Sequence, residues 1–299
     1  MYIALLMTLF GTGSNTRGEL QDVLQLPRTL PDYEILKAGS SLVNDISRST
    51  DVTVLVANRL FLLNSVRLNS EFQSALTTYF SADVEMLTLY PHLESKRQRI
   101  NKWVSEQTHG LIRRLIPSGA LTHNSALSIV NALYFKGLWK HPFDKRNTHL
   151  STFYTPDGRG ISVRMMYANQ KFDYLEMEDI EADAIKLPFG DGSTIGHSQS
   201  SVNMKQALIN LGARLLFSDM ADLSGISYYD FLSVSSIFHK AVLVVNEDGA
   251  EAAAATSVNV FSRSAGLEMR VDRPFFVAIV HRRAGPVFLG HVVRPGTVS

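Results

Sequence analysis

The stretch "EDGAEAAAATSVNVFSRSAG", residues 247–266, presents a conflict between local propensity and context. Its alanines, from Ala250 to Ala255, favour a helix, because alanine loses little side-chain freedom there. The segments on either side favour strands: "HKAVLVVNEDG" precedes the run and "LEMRVDRPFFVAIVHR" follows it, both with β-branched patterns. A run between two strands is itself capable of becoming a strand. On its own residues, the stretch therefore leaves both structures open.

The composition indicates a globular chain with a substantial core. The sequence has 299 residues, of which 45% are hydrophobic and 19% charged, enough for one large domain or two ordinary ones. A net charge of +1 supplies no overall attraction to nucleic acid, so no nucleic acid partner is expected. The one basic cluster, "SKRQRINKW" at 95–103, is interpreted as a solvated helix face, with a polyanion such as a sulfated glycan as the alternative.

Several classes of site are excluded or unsupported. The chain has no cysteine, which excludes disulfides, thiol catalysis and cysteine-ligated metals. Its longest apolar run, "MYIALLMTLF" at the start, is about ten residues, and a membrane-spanning helix needs about twenty; we expect a core helix there and no integral membrane protein. No N-x-S/T glycosylation acceptor occurs. No metal and no cofactor are predicted.

Helical and strand patterns alternate along the chain. Amphipathic spacing predicts helices over 18–26, 30–47, 70–80 and 100–119, the last stopped by Pro117. Alternating or continuous β-branched patterns predict strands over 51–62, 126–139 and within 161–178. Helices and strands are therefore mixed from the start of the chain.

The strong enzyme signatures are absent. We find no G-x-S-x-G elbow, no H-E-x-x-H helix and no phosphate-binding P-loop. "GTGSNTRG" at 11–18 approaches a dinucleotide-binding motif, but it follows an apolar helix pattern and is interpreted as a helix end. His239 is expected just before a strand and is interpreted as a structural histidine. The chain is therefore not expected to be an enzyme.

Four motifs in order resemble the serpin family of serine protease inhibitors. They are "NALYFKGLWKHPFD" (131–144), "ADLSGIS" (221–227), "HKAVLVVNEDGAEAAAAT" (239–256) and "DRPFFVAIVHRRAGPVFLGHVVRP" (272–295). The resemblance extends from about Met1 to Pro295. It implies an α+β serpin fold with three β-sheets, surrounding helices and an exposed reactive-centre loop. Residues 1–299 would then form a single domain.

The opening stretch fits what the resemblance implies for that loop. Serpins are a known example of loop insertion into a sheet, and a strand entering a packed sheet needs small, uncharged residues on its inner face. One face of the run carries Ala250, Ala252, Ala254 and Thr256, whereas Glu251 lies on the other. Gly249 is expected to supply the bend.

The resemblance places the scissile bond at Arg263–Ser264. An arginine there implies a target whose pocket holds a carboxylate, as in trypsin-like serine proteases. Phe261 and Ser262 would occupy adjoining subsites. The expected mechanism is suicide inhibition, in which the protease is trapped as a covalent acyl-enzyme when the loop inserts. The partner is then a trypsin-like protease, and no residue of this chain is catalytic.

The resemblance also assigns roles inside the fold. Asn131 and His239 match the "shutter", a hydrogen-bonding pair that controls opening of the sheet. Trp139 matches the "breach", where insertion begins. Glu247 matches an acidic residue of the hinge. The family also implies an extracellular protein, with the cytoplasm as the alternative.

Two departures from the family pattern are expected to matter. The family's first helix, one strand and a shutter serine are expected to be missing before Met1, which would deprive Asn131 and His239 of a partner. A second block is expected to be missing at "GDGSTIGHSQSS" (190–201), for which a flexible linker is the alternative interpretation. That block would include the strand flanking the loop-accepting sheet and the basic partner of Glu247. A bare sheet edge and self-association of molecules are predicted, and a non-inhibitory chain that is merely cleaved is the alternative function.

Overall fold

The computed structural model describes residues 1–47, 52–177, 182–189, 199–228, 231–247, 269–281 and 285–295. Contacts between residues divide the chain into two units. The first unit comprises Met1–Arg48, Val54–Tyr134 and Ser200–Val242. The second comprises Ser49–Thr53, Phe135–Gln199 and Leu243–Ser299.

The helices of the described residues mostly follow the predicted amphipathic segments. None of them is long and apolar enough to span a bilayer. Among the described residues, short 3₁₀ turns occur at Lys145–Asn147 and Leu215–Phe217. The α-helices are α1 (Tyr2–Phe10), α2 (Ser14–Val23), α3 (Asp32–Ser47), α4 (Ser70–Phe80), α5 (Leu93–Gln107) and α6 (Lys205–Leu211).

The strands among the described residues form one five-stranded sheet, in the order β2-β1-β3-β9-β8, and three hairpins, β4–β5, β6–β7 and β10–β11. Strands β1 and β2 pair in parallel, and the hairpins are antiparallel. The strands are β1 (Val52–Leu62), β2 (Asp83–Met86), β3 (Leu127–Gly137), β4 (His149–Tyr154), β5 (Gly160–Met165), β6 (Asp173–Met177), β7 (Ala182–Lys186), β8 (Gln199–Asn203), β9 (Val234–Val244), β10 (Phe275–His281) and β11 (Gly285–Val292). Helices and sheets together confirm the α+β class.

The core of the first unit forms around α1. Every residue from Ile3 to Leu9 is buried, so the predicted core helix is confirmed. The helix ends at Gly11, where an added Cβ would lie 2.5 Å from a side-chain carbon of Ile226. Only glycine fits that contact without a shift of its neighbours, and the interpretation of "GTGSNTRG" as a helix end is also confirmed.

The prediction of a helix over 100–119 is wrong at both ends. Helix α5 begins at Leu93 and ends at Gln107, and the backbone of His109 and Gly110 is left-handed, with φ of 50° and 79°. The Thr108 hydroxyl donates to Val104 O and accepts from Ile112 N, which supports the turn. Ile112 is buried in the irregular segment that follows, so apolar spacing there continues without a helix.

Two further expectations are corrected at β9. His239 lies inside this strand and not before it. The prediction started the strand too late, because the polar pair Ser235–Ser236 interrupts the hydrophobic pattern at its beginning. The edge of β9 is also not bare, since β8 (Gln199–Asn203) lies beside it in the sheet. The rest of the proposed join, residues 190–198, lies outside the described residues.

Asn101 provides a test of the segment that follows α5. Its buried side chain accepts from Leu115 N and Ile116 N and donates to Ile116 O, at 2.8–2.9 Å. Asn101→Ala removes three buried hydrogen bonds, so we expect the free energy of unfolding to fall by about 3 kcal/mol at about 1 kcal/mol each. Urea denaturation measures the loss.

The matched control is Asn210→Ala, because Asn210 is exposed and its side chain accepts a hydrogen bond from Gln206 on the same helix. We expect a change within about 0.5 kcal/mol for this variant. Equal losses in the two variants would show that Asn101 does not hold the segment.

Candidate functional site

The described residues include four of the predicted site residues: Asn131, Trp139, His239 and Glu247. The others lie outside the described residues. They are the hinge positions Gly249, Ala250, Ala252, Ala254 and Thr256, the subsite residues Phe261 and Ser262, and the reactive bond Arg263–Ser264.

A chain of hydrogen bonds joins the three central strands of the five-stranded sheet. His239 Nδ1 on β9 lies 2.6 Å from Asn131 Oδ1 on β3, and Asn131 Nδ2 donates to Asn58 Oδ1 on β1 at 2.5 Å. Because Asn131 uses its amide nitrogen toward Asn58, its oxygen is the acceptor and His239 Nδ1–H is the donor. We call these three residues the polar chain. The structure thus brings together the pair that the sequence placed at the shutter.

The polar chain corrects the expectation that Asn131 lacks a partner. Asn131 is 2% exposed and Asn58 is 8% exposed, so unpaired amides here would cost about 1–3 kcal/mol each. Asn58 supplies the bond that was expected to be lost. It lies in the mostly apolar strand "VTVLVANRLFL", where Thr53 and Arg59 are also polar, so a polar residue in this strand is only a weak signal in the sequence.

Burial sets the protonation state of His239. Desolvation lowers the pKa of this imidazole from its ordinary value near 6.5 to about 4. The ring is therefore neutral near pH 7, in the form that donates one N–H to Asn131 and carries no charge into the sheet.

In the second unit, aromatic side chains hold the segment that follows β9. The Trp139 ring stacks on Phe189 at a centroid distance of 4.8 Å and meets Phe143 edge-on at 5.8 Å. Its indole Nε1 donates to Asn246 O at 2.8 Å. We call Trp139, Phe143, Phe189 and Asn246 the tryptophan cluster. Trp139 therefore fixes the backbone directly ahead of the alanine run.

Glu247 is held at both its backbone and its side chain. Phe143 N donates to Glu247 O at 2.8 Å, and Arg164 Nη2 lies 3.7 Å from the Glu247 carboxylate. Glu247 therefore has a basic partner, Arg164, that the family pattern did not predict. Arg164 comes from β5 (Gly160–Met165), which no local pattern links to Glu247.

Sequence reasoning missed Phe189, Asn246 and Arg164. Gly137 is the one sequence feature related to Phe189. The absence of a side chain at Gly137 leaves room for the Phe189 ring, since an added Cβ would lie 2.6 Å from that ring. Among the described residues, no group of three or more His, Cys, Asp or Glu side chains is arranged to hold a metal ion.

The depressed pKa of His239 predicts a pH-dependent stability. The unfolded chain binds a proton near pH 6.5 and the folded chain only near pH 4, so stability is lost as the pH falls between these values. A shift of this size corresponds to a loss of about 3 kcal/mol. Urea denaturation at pH 7, 5.5 and 4.5 measures it.

His239→Gln is the matched variant, since glutamine can donate to Asn131 Oδ1 but does not titrate. The difference between the two pH profiles reports His239 together with its electrostatic interaction with the amino group of Met1. We expect the variant to have the flatter profile. Parallel profiles for the two proteins would contradict the assignment.

Comparison with protein families and individual proteins identifies the family of the sequence. The family model described as serpin, serine protease inhibitor, matches in two pieces, residues 1–197 and 196–295. Serine protease inhibitor 42Dd of Drosophila melanogaster is 32% identical, over 97% of this chain and 88% of that protein. Antithrombin-III of Mus musculus is 30% identical, over 98% of this chain and 74% of that protein.

Solved structures give the same fold. Serpin48 of the insect Tenebrio molitor, described as a highly specific serpin, matches with a TM-score of 0.87 and 25% identity, covering 99% of this chain and 90% of that one. Thyroxine-binding globulin in complex with thyroxine matches with a TM-score of 0.87 at 23% identity, which shows the fold alone, over 98% and 90% of the two chains. The chain belongs to the serpin family of serine protease inhibitors.

Proposed function

We propose that this serpin inhibits trypsin-like serine proteases as a suicide substrate, with Arg263–Ser264 as the reactive bond. The protease serine attacks the Arg263 carbonyl, the peptide bond to Ser264 breaks, and the new amine leaves with a proton. The acyl-enzyme then holds the Arg263 end of the cut loop. Insertion of that loop as a new strand traps the protease before water releases it.

The observation that carries this proposal is the anchored segment just before the loop. Asn246 O accepts from Trp139, Glu247 O accepts from Phe143 N, and Arg164 faces the Glu247 carboxylate. Directly after this anchor the sequence has Gly249 and then the run with only small side chains on one face. A fixed strand end followed by small residues suits a hinge about which a loop enters a sheet.

The polar chain supports the same mechanism. His239 and Asn131 bond between β9 and β3, two adjacent strands of the sheet. A strand that enters between them must first break this bond. Because the imidazole is neutral near pH 7, the break exposes no buried charge.

Arginine at 263 supports the choice of target. A guanidinium pairs with a carboxylate through two parallel hydrogen bonds, which favours proteases that carry a carboxylate in the primary pocket. Phe261 and Ser262 would occupy the adjoining subsites and refine the choice among such proteases.

A second candidate function is a serpin that is cleaved at the loop without trapping the protease. The two-piece match of the family model, which divides at residues 196–197, supports this alternative. Sheets that lack part of their framework would release little free energy on insertion, and deacylation would then outrun trapping.

A gel experiment with trypsin separates the two functions. Incubation of the chain with trypsin should give a complex that survives denaturing electrophoresis, because the link is an ester bond. Arg263→Ala should abolish the complex with trypsin, whereas Arg113→Ala, at an exposed arginine outside the loop, should leave it unchanged. A cleaved chain with no complex in the unaltered protein supports the substrate alternative and contradicts inhibition.

A matched pair of hinge variants tests insertion itself. Ala254→Glu places a carboxylate on the inner face of the inserted strand, whereas Ala253→Glu places one on the outer face. We expect the ratio of cleaved chain to covalent complex to be at least tenfold higher for Ala254→Glu than for the unaltered chain. The reason is that a buried unpaired charge strongly disfavours insertion. Ala253→Glu should still form the complex.

Thermal denaturation of the loop-cleaved proteins supplies the second readout. For the unaltered chain and for Ala253→Glu, the cleaved form should melt at a higher temperature than the intact form. For Ala254→Glu, cleavage should not raise the melting temperature. Equal complex yields from both variants would contradict the proposed strand register.

A further inference from the structure

A cavity of about 330 Å³ lies in the first unit beside the beginning of α5. Its walls come from three places: the chain just after β1, the first turn of α5 with the residues before it, and the turn ahead of β3. Three of the side chains are basic and none is acidic. The lining residues are Leu63, Asn64, Pro91, His92, Leu93, Lys96, His123 and Ser125.

The basic residues of the cluster at 95–103 other than Lys96 have carboxylate partners. Arg97 pairs with Glu94, and Arg99 pairs with Glu85 on β2. Lys102 lies 3.9 Å from Glu106. These pairs occupy most of the charge that the cluster could offer to a polyanion.

Within the described part of the chain, Lys96 has no carboxylate partner. Its ammonium donates to Leu63 O, which uses one of its three N–H donors. Lys96 also lines the cavity, and its side chain is partly exposed there. Its two remaining donors are therefore available to an anion in the cavity.

The two histidines add donors at the rim. His92 and His123 are exposed, and each imidazole offers at least one N–H in any tautomer. The nearest acidic residue in the helix, Glu94, is engaged by Arg97 and Gln98 at 2.8 Å and 3.1 Å. Nothing of negative charge competes with a ligand among the residues that line the cavity.

We propose that this cavity binds an oxyanion, a sulfate or phosphate group, with Lys96 as the charge and His92 and His123 as hydrogen-bond donors. The group can be a free ion or an ester on a sugar, since the cavity recognises the shared tetrahedral oxyanion. A metal cation does not fit this cavity. The Lys96 ammonium repels a cation, and the lining offers two imidazoles but no carboxylate or thiolate as metal ligands. The inference is independent of the proposed inhibition.

Calorimetric titration with inorganic sulfate, and separately with inorganic phosphate, tests the site at constant ionic strength. Direct binding is measured because sulfate also raises melting temperatures by exclusion from protein surfaces. We expect saturable binding at one site, weakened at least tenfold by Lys96→Met. Lys102→Met, a change on the same helix outside the cavity lining, should leave the affinity unchanged.

Nuclear magnetic resonance of protein with isotope-labelled histidines gives a second readout, which does not depend on the Lys96 variant. Saturation with sulfate should shift the ring signals of two histidines, identified as His92 and His123 by loss of those signals in His92→Gln and His123→Gln. Both residues are exposed, but His92 is the N-cap residue of α5, so circular dichroism checks that each variant is folded. Glucose 6-sulfate separates the two sources of the ligand: tighter binding than inorganic sulfate indicates a sugar ester, and equal or weaker binding indicates the free ion.

Three outcomes would overturn the proposal. They are the absence of saturable binding, equal affinities for Lys96→Met and Lys102→Met, and ring shifts confined to histidines other than these two.

Discussion

A buried amide on β3 is the constraint on which the centre of the five-stranded sheet depends. Asn131 is satisfied only when β1 and β9 lie on either side of it, since Asn58 and His239 come from those strands. An apolar side chain would tolerate sliding of its neighbours, but an amide needs partners at fixed distances and angles. The two ends of the polar chain differ. Separation of β9 from β3 breaks the bond to His239 and leaves the bond to Asn58 in place.

Local signals explain which elements could be predicted from the sequence. The pattern for α4 gave the observed bounds, because Asn69 accepts from Glu71 N at one end and Ser81 adopts a left-handed backbone at the other. The predicted helix over 100–119 begins too late for α5, which starts at Leu93, and runs too far, because Ile112 is buried beyond the helix. Buried apolar residues in an irregular segment follow no fixed period. By chance they can have the spacing of a helix face, and here they do.

The site was predictable only where both members of a contact lay in recognised motifs. Asn131 and His239 belong to two such motifs, and the structure brings them within 2.6 Å. Asn58 and Arg164 lie outside them. Their contacts depend on which residues of separate strands come opposite one another, and that register follows from the packing of the whole sheet. A carboxylate such as Glu247 predicts that some base is nearby, but not which strand supplies it.

The anchored segment after β9 decides where movement could begin. Three contacts, from Trp139, Phe143 and Arg164, hold Asn246 and Glu247, and each neutral hydrogen bond of this kind contributes about 1 kcal/mol. Rotation about a residue inside the anchor would break these contacts, whereas rotation after Glu247 would break none of them. Under the proposed mechanism, the free energy of insertion then acts on residues beyond the anchor and leaves β9 intact. Glycine at 249 follows this boundary, and without a Cβ it can adopt a sharp bend that other residues adopt only with steric strain.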